Sequence, residues 1–153
     1  MPTHTATVTW AANGGDTAAR RFSRAHRWSF DGGVIVPASA SPHVVPKPWS
    51  DESAVDPEVA LVAAAASCHM LSFLYVASKD GLSVESYEDT AEGTLAKNDA
   101  GRLAITRIVL HPRIAFKGKQ PSKDELDHIH HRAHEECFIA SSLRTEIVVE
   151  ARN

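Results

Sequence analysis

The sequence predicts an α+β domain built from strands, one long helix, two further strands, a second helix and a closing strand. Three observations carry this. Strand-like alternation occurs at both ends of the chain. An alanine-rich stretch over residues 61–77 lies between helix start and stop signals. A capping-box pattern then opens a second helix ahead of the final alternating segment. A chain of 153 residues suits a single domain spanning 1–153 and is long enough to bury a stable core.

Residues 3–10 alternate Thr with Ala, Val and Trp and read as a strand, with Asn13-Gly14-Gly15 as the turn after it. Residues 22–30 and 34–36 flank Asp31-Gly32-Gly33, a short-range hairpin signal. Residues 38–56, with Pro42, Pro46, Pro48 and Trp49, form an irregular loop long enough for a functional or interface role. The long helix follows. Asp56 is its N-cap, Pro57 its first residue, and Gly81 ends it just beyond Lys79. Its centre is apolar or small almost all round, so it must be covered on every side, which asks for a second subunit. Residues 83–95 and 103–116 read as two long strands joined by a turn-rich linker at 97–102. Ser122-Lys123-Asp124-Glu125 is the capping box. The helix it opens runs to about Cys137, with Leu126, Ile129 or His130, Ala133 and Cys137 along its inner stripe. Residues 145–151 close the chain as a strand.

Hydrophobic residues at 43% and charged residues at 23% match a globular protein. A formal charge of -3 gives no electrostatic reason to expect nucleic acid or an anionic membrane as partner. The most apolar stretch contains Ser67, Cys68, His69 and Ser72 and reads as a core helix rather than a membrane span. No secretory signal is evident, so the expected location is the cytoplasm. There the two cysteines are either thiols with chemistry or plain core residues.

Cys68 lies mid-helix among Ala64, Ala65, Leu71 and Ser72, where no local group would activate it. His69 points about 100° away around the helix and is a poor base for it. By itself Cys68 reads first as a small core hydrophobe. Cys137 falls at a helix C-terminal end, which disfavours an anion and suits a resolving thiol better than an attacking one. A rival constellation is the histidine-rich segment His128, His130, His131 and His134. There His130, His134 and Cys137 recur at i, i+4, i+7, a weak metal- or ligand-binding pattern beside the plainer reading of solvated histidines.

With these residues in view, the chain resembles the osmotically inducible protein C family (OsmC), which includes the organic hydroperoxide resistance proteins. Asp56-Pro57-Glu58 is similar to the family's Asn-Pro-Glu. Ala63-Ala64-Ala65-Ala66-Ser67-Cys68 stands at the family's interval after it. Leu103-Ala104-Ile105-Thr106-Arg107-Ile108 resembles the strand after the helix, and His134-Glu135-Glu136-Cys137 stands where the family has its second cysteine. The chain departs from the family after that cysteine, with Phe138-Ile139-Ala140 in place of Pro-Val-Ser.

The resemblance implies an OsmC-like fold: antiparallel sheets around a long buried central helix in an intertwined homodimer. It implies a peroxidase that reduces organic hydroperoxides without a cofactor or metal. Cys68 would be the peroxidatic thiolate, Cys137 the resolving thiol, and an external dithiol the reductant. It also implies that Glu58 pairs with an arginine from the early hairpin, Arg24 as the best match and Arg27 as a close second. Glu58 and Cys68 lie about 15 Å apart along one helix. Two such helices antiparallel across a two-fold axis would bring Glu58 of one subunit to Cys68 of the other. Met70, Phe73, Trp49 and Phe138 are the expected apolar pocket walls.

Overall fold

The structure, a computed structural model, describes residues 1–152. The chain divides into two compact units, Met1–Ala60 and the residues from Leu61 onward. The long helix begins in the first and continues through the second.

The first unit is a three-stranded antiparallel sheet of β1 (Ala6–Thr9), β2 (His26–Phe30) and β3 (Ile35–Ala38), in that order. The hairpin expected around Asp31-Gly32-Gly33 joins β2 to β3. The Phe30 amide donates to the Val34 carbonyl at 2.9 Å, and Gly32 and Gly33 sit at φ 89° and 86°, which side chains rarely adopt. Beyond β3 the chain is irregular, as the prolines require, and is pinned where the Ser39 amide donates to the Val55 carbonyl at 3.0 Å.

Helix α1 (Pro57–Lys79) starts as its sequence dictates: the Asp56 carboxylate accepts from the Val59 amide at 2.9 Å. Gly81, at φ 73°, follows its end. One stripe of α1 is buried, namely Ala65, His69, Phe73, Val76 and Ala77. The opposite side is open, with Leu71 and Tyr75 exposed by 60% and 50%, and Val59 in the first turn is exposed by 56%. By length and composition α1 would suffice to cross a bilayer, and only 22% of its most apolar window is buried within the chain. A single chain therefore covers one side of this helix and leaves the other bare.

The two long strands expected after α1 are each broken into two. They are β4 (Ser83–Asp89) and β5 (Glu92–Lys97), then β6 (Leu103–Leu110) and β7 (Pro112–Lys117). β4 pairs antiparallel with β7, and β5 with β6, so the breaks at Thr90-Ala91 and His111 divide one long hairpin between two sheets. β5 passes close to α1 at Gly93, where a Cβ would come within 2.5 Å of Val62 Cγ2. α2 (Lys123–Glu136) opens with the capping box complete. A five-residue helix absent from the sequence reading, α3 (Phe138–Ser142), follows. β8 (Glu146–Val149) then joins β6 in parallel, giving the order β5-β6-β8.

Two apolar clusters hold this unit. Phe73, Val76 and Ala77 of α1 meet Ile114, Phe116, Leu126, Ile129 and Ala133. Nearer the start of α1, Ala65 packs with Ile108 and Leu110, with Ile139 of α3 against them. Leu126, Ile129, His130, Ala133 and Cys137 are all buried, so the expected inner stripe of α2 contains both alternatives, Ile129 and His130.

Candidate functional site

Side chains of α2 meet α1, and the residue just after it, at several points. Arg132 bridges Asp80 with hydrogen bonds of 3.0 and 2.8 Å. The His130 ring lies 4.6 Å from Phe73 and 5.4 Å from His69, nearly parallel to the latter at 11°. His69 Nε2 and His130 Nδ1 are 3.0 Å apart, a hydrogen bond in which one ring donates and the other accepts. At the end of α2 the thiol of Cys137 lies near that of Cys68, remote from it in sequence, close enough for Cys68 to affect its ionisation. Both are free cysteines, Cys68 half-buried and Cys137 1% exposed.

Cys137 is not simply at a helix C-terminus. It ends α2 and begins α3, and its Sγ accepts from the Ala140 amide at 3.4 Å. Burial pushes its thiol pKa up and the contact with Cys68 adds to this, while the Ala140 and Ile139 amides pull it down. Burial dominates, so Cys137 favours the protonated thiol.

The two buried imidazoles are also held neutral. Burial brings His69 down to about 4, with His130 and His134 nearby acting in the same direction. Burial likewise brings His130 down to about 4, opposed by the charge of Asp127. Sequence reasoning missed this pair. The direction on α1 that makes His69 a poor base for Cys68 places it against α2.

The histidine row expected at i, i+4, i+7 does not form a ligand face. His130 is turned into the core and bonded to His69, Cys137 faces Cys68, His134 is half-buried, and His128 and His131 point outward. Among the described residues no group of three or more metal-binding side chains is arranged to hold an ion. A cleft of about 920 Å³ runs beside α2, lined among others by Phe116, Leu126, His130, His134 and Val149, and neither cysteine reaches it.

The other expected site residues occupy the following places. Glu58 stands in the first turn of α1, with its Oε2 buried and unpartnered among the described residues. Arg24 donates from Nη1 to the Phe22 carbonyl at 2.6 Å and lies 3.6 Å over the Phe22 ring. Arg27, on β2, is exposed and makes no side-chain hydrogen bond or ion pair among the described residues. Of the expected walls, Phe73 is fully buried in the core and so cannot face a substrate, Met70 and Trp49 are half-buried, and Phe138 is 81% exposed.

Comparison with known proteins agrees with the fold. The OsmC-like protein family matches residues 50–152. Peroxiredoxin OsmC of Escherichia coli is 30% identical over 102 residues, covering 67% of this chain and 69% of that protein. A solved OsmC-like protein of unknown function from Vibrio cholerae is 50% identical, covers 99% of both chains and superposes with a TM-score of 0.95. The organic hydroperoxide resistance protein OhrB of Bacillus subtilis shares the fold at 22% identity, covering 97% of this chain and 98% of that one, with a TM-score of 0.66. A long helix carrying one free thiol beside a second thiol at the end of α2 thus stands in a fold that these relatives share, and this chain belongs to the OsmC-like protein family.

Proposed function

We propose that the protein is a cytoplasmic thiol peroxidase that reduces organic hydroperoxides through Cys68 and Cys137. The observation that carries this reading is the nearness of two free thiols drawn from separate helices. Similarity to peroxiredoxin OsmC supports it. The Cys68 thiolate attacks the terminal peroxide oxygen. The O–O bond breaks, the alkoxide takes a proton and leaves as the alcohol, and Cys68 becomes a sulfenic acid. The Cys137 sulfur then displaces the sulfenic hydroxyl as water, forming a disulfide. An external dithiol supplies two electrons and two protons to restore both thiols.

Cys137, kept as a thiol by burial, suits the resolving step, and half-buried Cys68 suits attack. The guanidinium that holds Cys68 as thiolate comes from Arg24 or Arg27, and the unpartnered carboxylate oxygen of Glu58 is the natural anchor for it. The bare side of α1 supports a homodimer in which a second copy closes over Leu71 and Tyr75 and walls the space around Cys68 with apolar groups. Such a wall favours alkyl hydroperoxides over hydrogen peroxide.

Cumene hydroperoxide added to reduced protein should consume two thiols per chain and yield one disulfide. Cys68→Ser should abolish the loss. Cys137→Ser should still reduce one peroxide but stop at the sulfenic acid, detectable by dimedone labelling. Thiols that survive excess peroxide would overturn the reading.

A further inference from the structure

We infer that His69 and His130 are positioning residues for the thiol pair, their mutual hydrogen bond fixing where α2 ends and hence how close Cys137 stands to Cys68. This rests on the disulfide proposed above but not on peroxide as its oxidant.

The position of the pair is the first ground. The larger apolar cluster between α1 and α2 ends on α1 at Phe73, one turn after His69, and on α2 at Ala133, one turn short of Cys137. Among the described residues the imidazole contact is the one side-chain hydrogen bond between α1 and α2, and on α1 it sits beside Cys68. His69 directly follows Cys68, so its ring and that sulfur share one rigid turn of α1. His130 lies two turns before Cys137. After Cys137 the chain is held again, by Ile139 against the second cluster. Cys137 is thus held between the apolar contacts of Ala133 and Ile139, and the imidazole bond is the directional tie between the two helices. A hydrogen bond has a preferred length and angle, whereas apolar side chains slide.

The second ground is that the pair is a poor choice for stability alone. His69 Nδ1 and His130 Nε2 are both buried with no partner among the described residues. Buried unsatisfied nitrogens oppose folding, and replacing both partners of such a bond by apolar groups is commonly neutral or stabilising. An arrangement that sacrifices stability to keep one bond of defined geometry points to a role for that geometry.

The test separates position from stability. Purified protein is equilibrated with reduced and oxidised glutathione, without peroxide. Protein dithiol plus oxidised glutathione gives protein disulfide plus two reduced glutathiones, and alkylation with mass detection reads the fraction oxidised. Wild type sets the reference, and a wild type that never forms the disulfide sinks the resolving step itself. The double variant His69→Phe/His130→Leu should keep or raise the melting temperature while its disulfide equilibrium constant falls tenfold or more. His69→Gln, whose amide nitrogen can reach where Nε2 stood, should return the constant to within threefold of wild type. A fall of less than tenfold in a folded double variant, or no recovery with glutamine, overturns the inference. Should the double variant not fold, imidazole ¹H–¹⁵N spectra of wild type decide. A solvent-protected ring N–H that shifts on oxidation is expected, and a signal that is unprotected or unmoved by oxidation overturns the inference.

Discussion

His69 and His130 tie the stability of the protein to acidity. In the unfolded chain both would titrate near their ordinary value of 6.5, whereas in the fold burial brings each to about 4. The unfolded state therefore takes up protons first. Stability from keeping the rings neutral is fully present above about pH 6.5 and is lost as pH falls toward 4. The loss should reach on the order of 2–3 kcal/mol per histidine by pH 4.5, read by urea unfolding at pH 7, 5.5 and 4.5. The charged groups around the pair are His134, which adds to the penalty, and Asp127, which offsets part of it. The His69→Phe/His130→Leu protein should lose most of this acid sensitivity. At this scale much of the site escaped sequence reading. A contact between residues 69 and 130 leaves no local trace, and the histidine-rich spacing on α2 reads most plainly as solvated side chains, with His130 only an alternative to Ile129 on the inner stripe. That the two cysteines belong together came from resemblance, because neither Cys68 nor Cys137 has a neighbour in sequence that marks it as reactive.

Elements whose boundaries are written in local chemistry behave as their residues dictate. The Ser122 hydroxyl accepts from the Glu125 amide at 3.2 Å, and the Glu125 carboxylate accepts from the Ser122 amide at 2.7 Å. Ser122→Ala should cost about 1 kcal/mol and fray the first turn of α2 in amide exchange. Gly93→Ala tests a different constraint. A methyl group there meets the stiff, β-branched Val62, so β5 or α1 must shift, at about 1–3 kcal/mol of overpacking. Val62→Ala in the same chain should recover part of that loss in thermal unfolding. The start of α1, the β2–β3 hairpin and the α2 stripe were legible because caps, glycines and helical periodicity are local. The division of two long strands into four was not. Residues 83–95 and 103–116 keep a strand-like pattern across Thr90-Ala91 and His111, and only the change of partner reveals the breaks. The parallel partnership of β8 with β6 and the short α3 are likewise products of long-range packing.

For the molecule as a whole, α1 is the decisive element. One of its sides is core, and the other shows Leu71 and Tyr75 to solvent. Apolar exposure of this kind on the longest helix is the ground for the proposed dimer. Leu71→Asp should shift the protein to monomer in sedimentation velocity and cut peroxide turnover at least tenfold, while leaving the far-ultraviolet circular dichroism unchanged. A monomeric wild type with full turnover would show instead that a single chain builds the whole site. The strand order β5-β6-β8 has a consequence for synthesis. β5 and β6 can zip together once residue 110 has left the ribosome, yet the other rim of β6 has no neighbour until residues 146–149 are made. In the interval, the carbonyls and amides along that rim are open to any passing strand, including one from a neighbouring nascent chain. Messages truncated between codons 118 and 145 should therefore yield inclusion bodies rather than a shorter active protein.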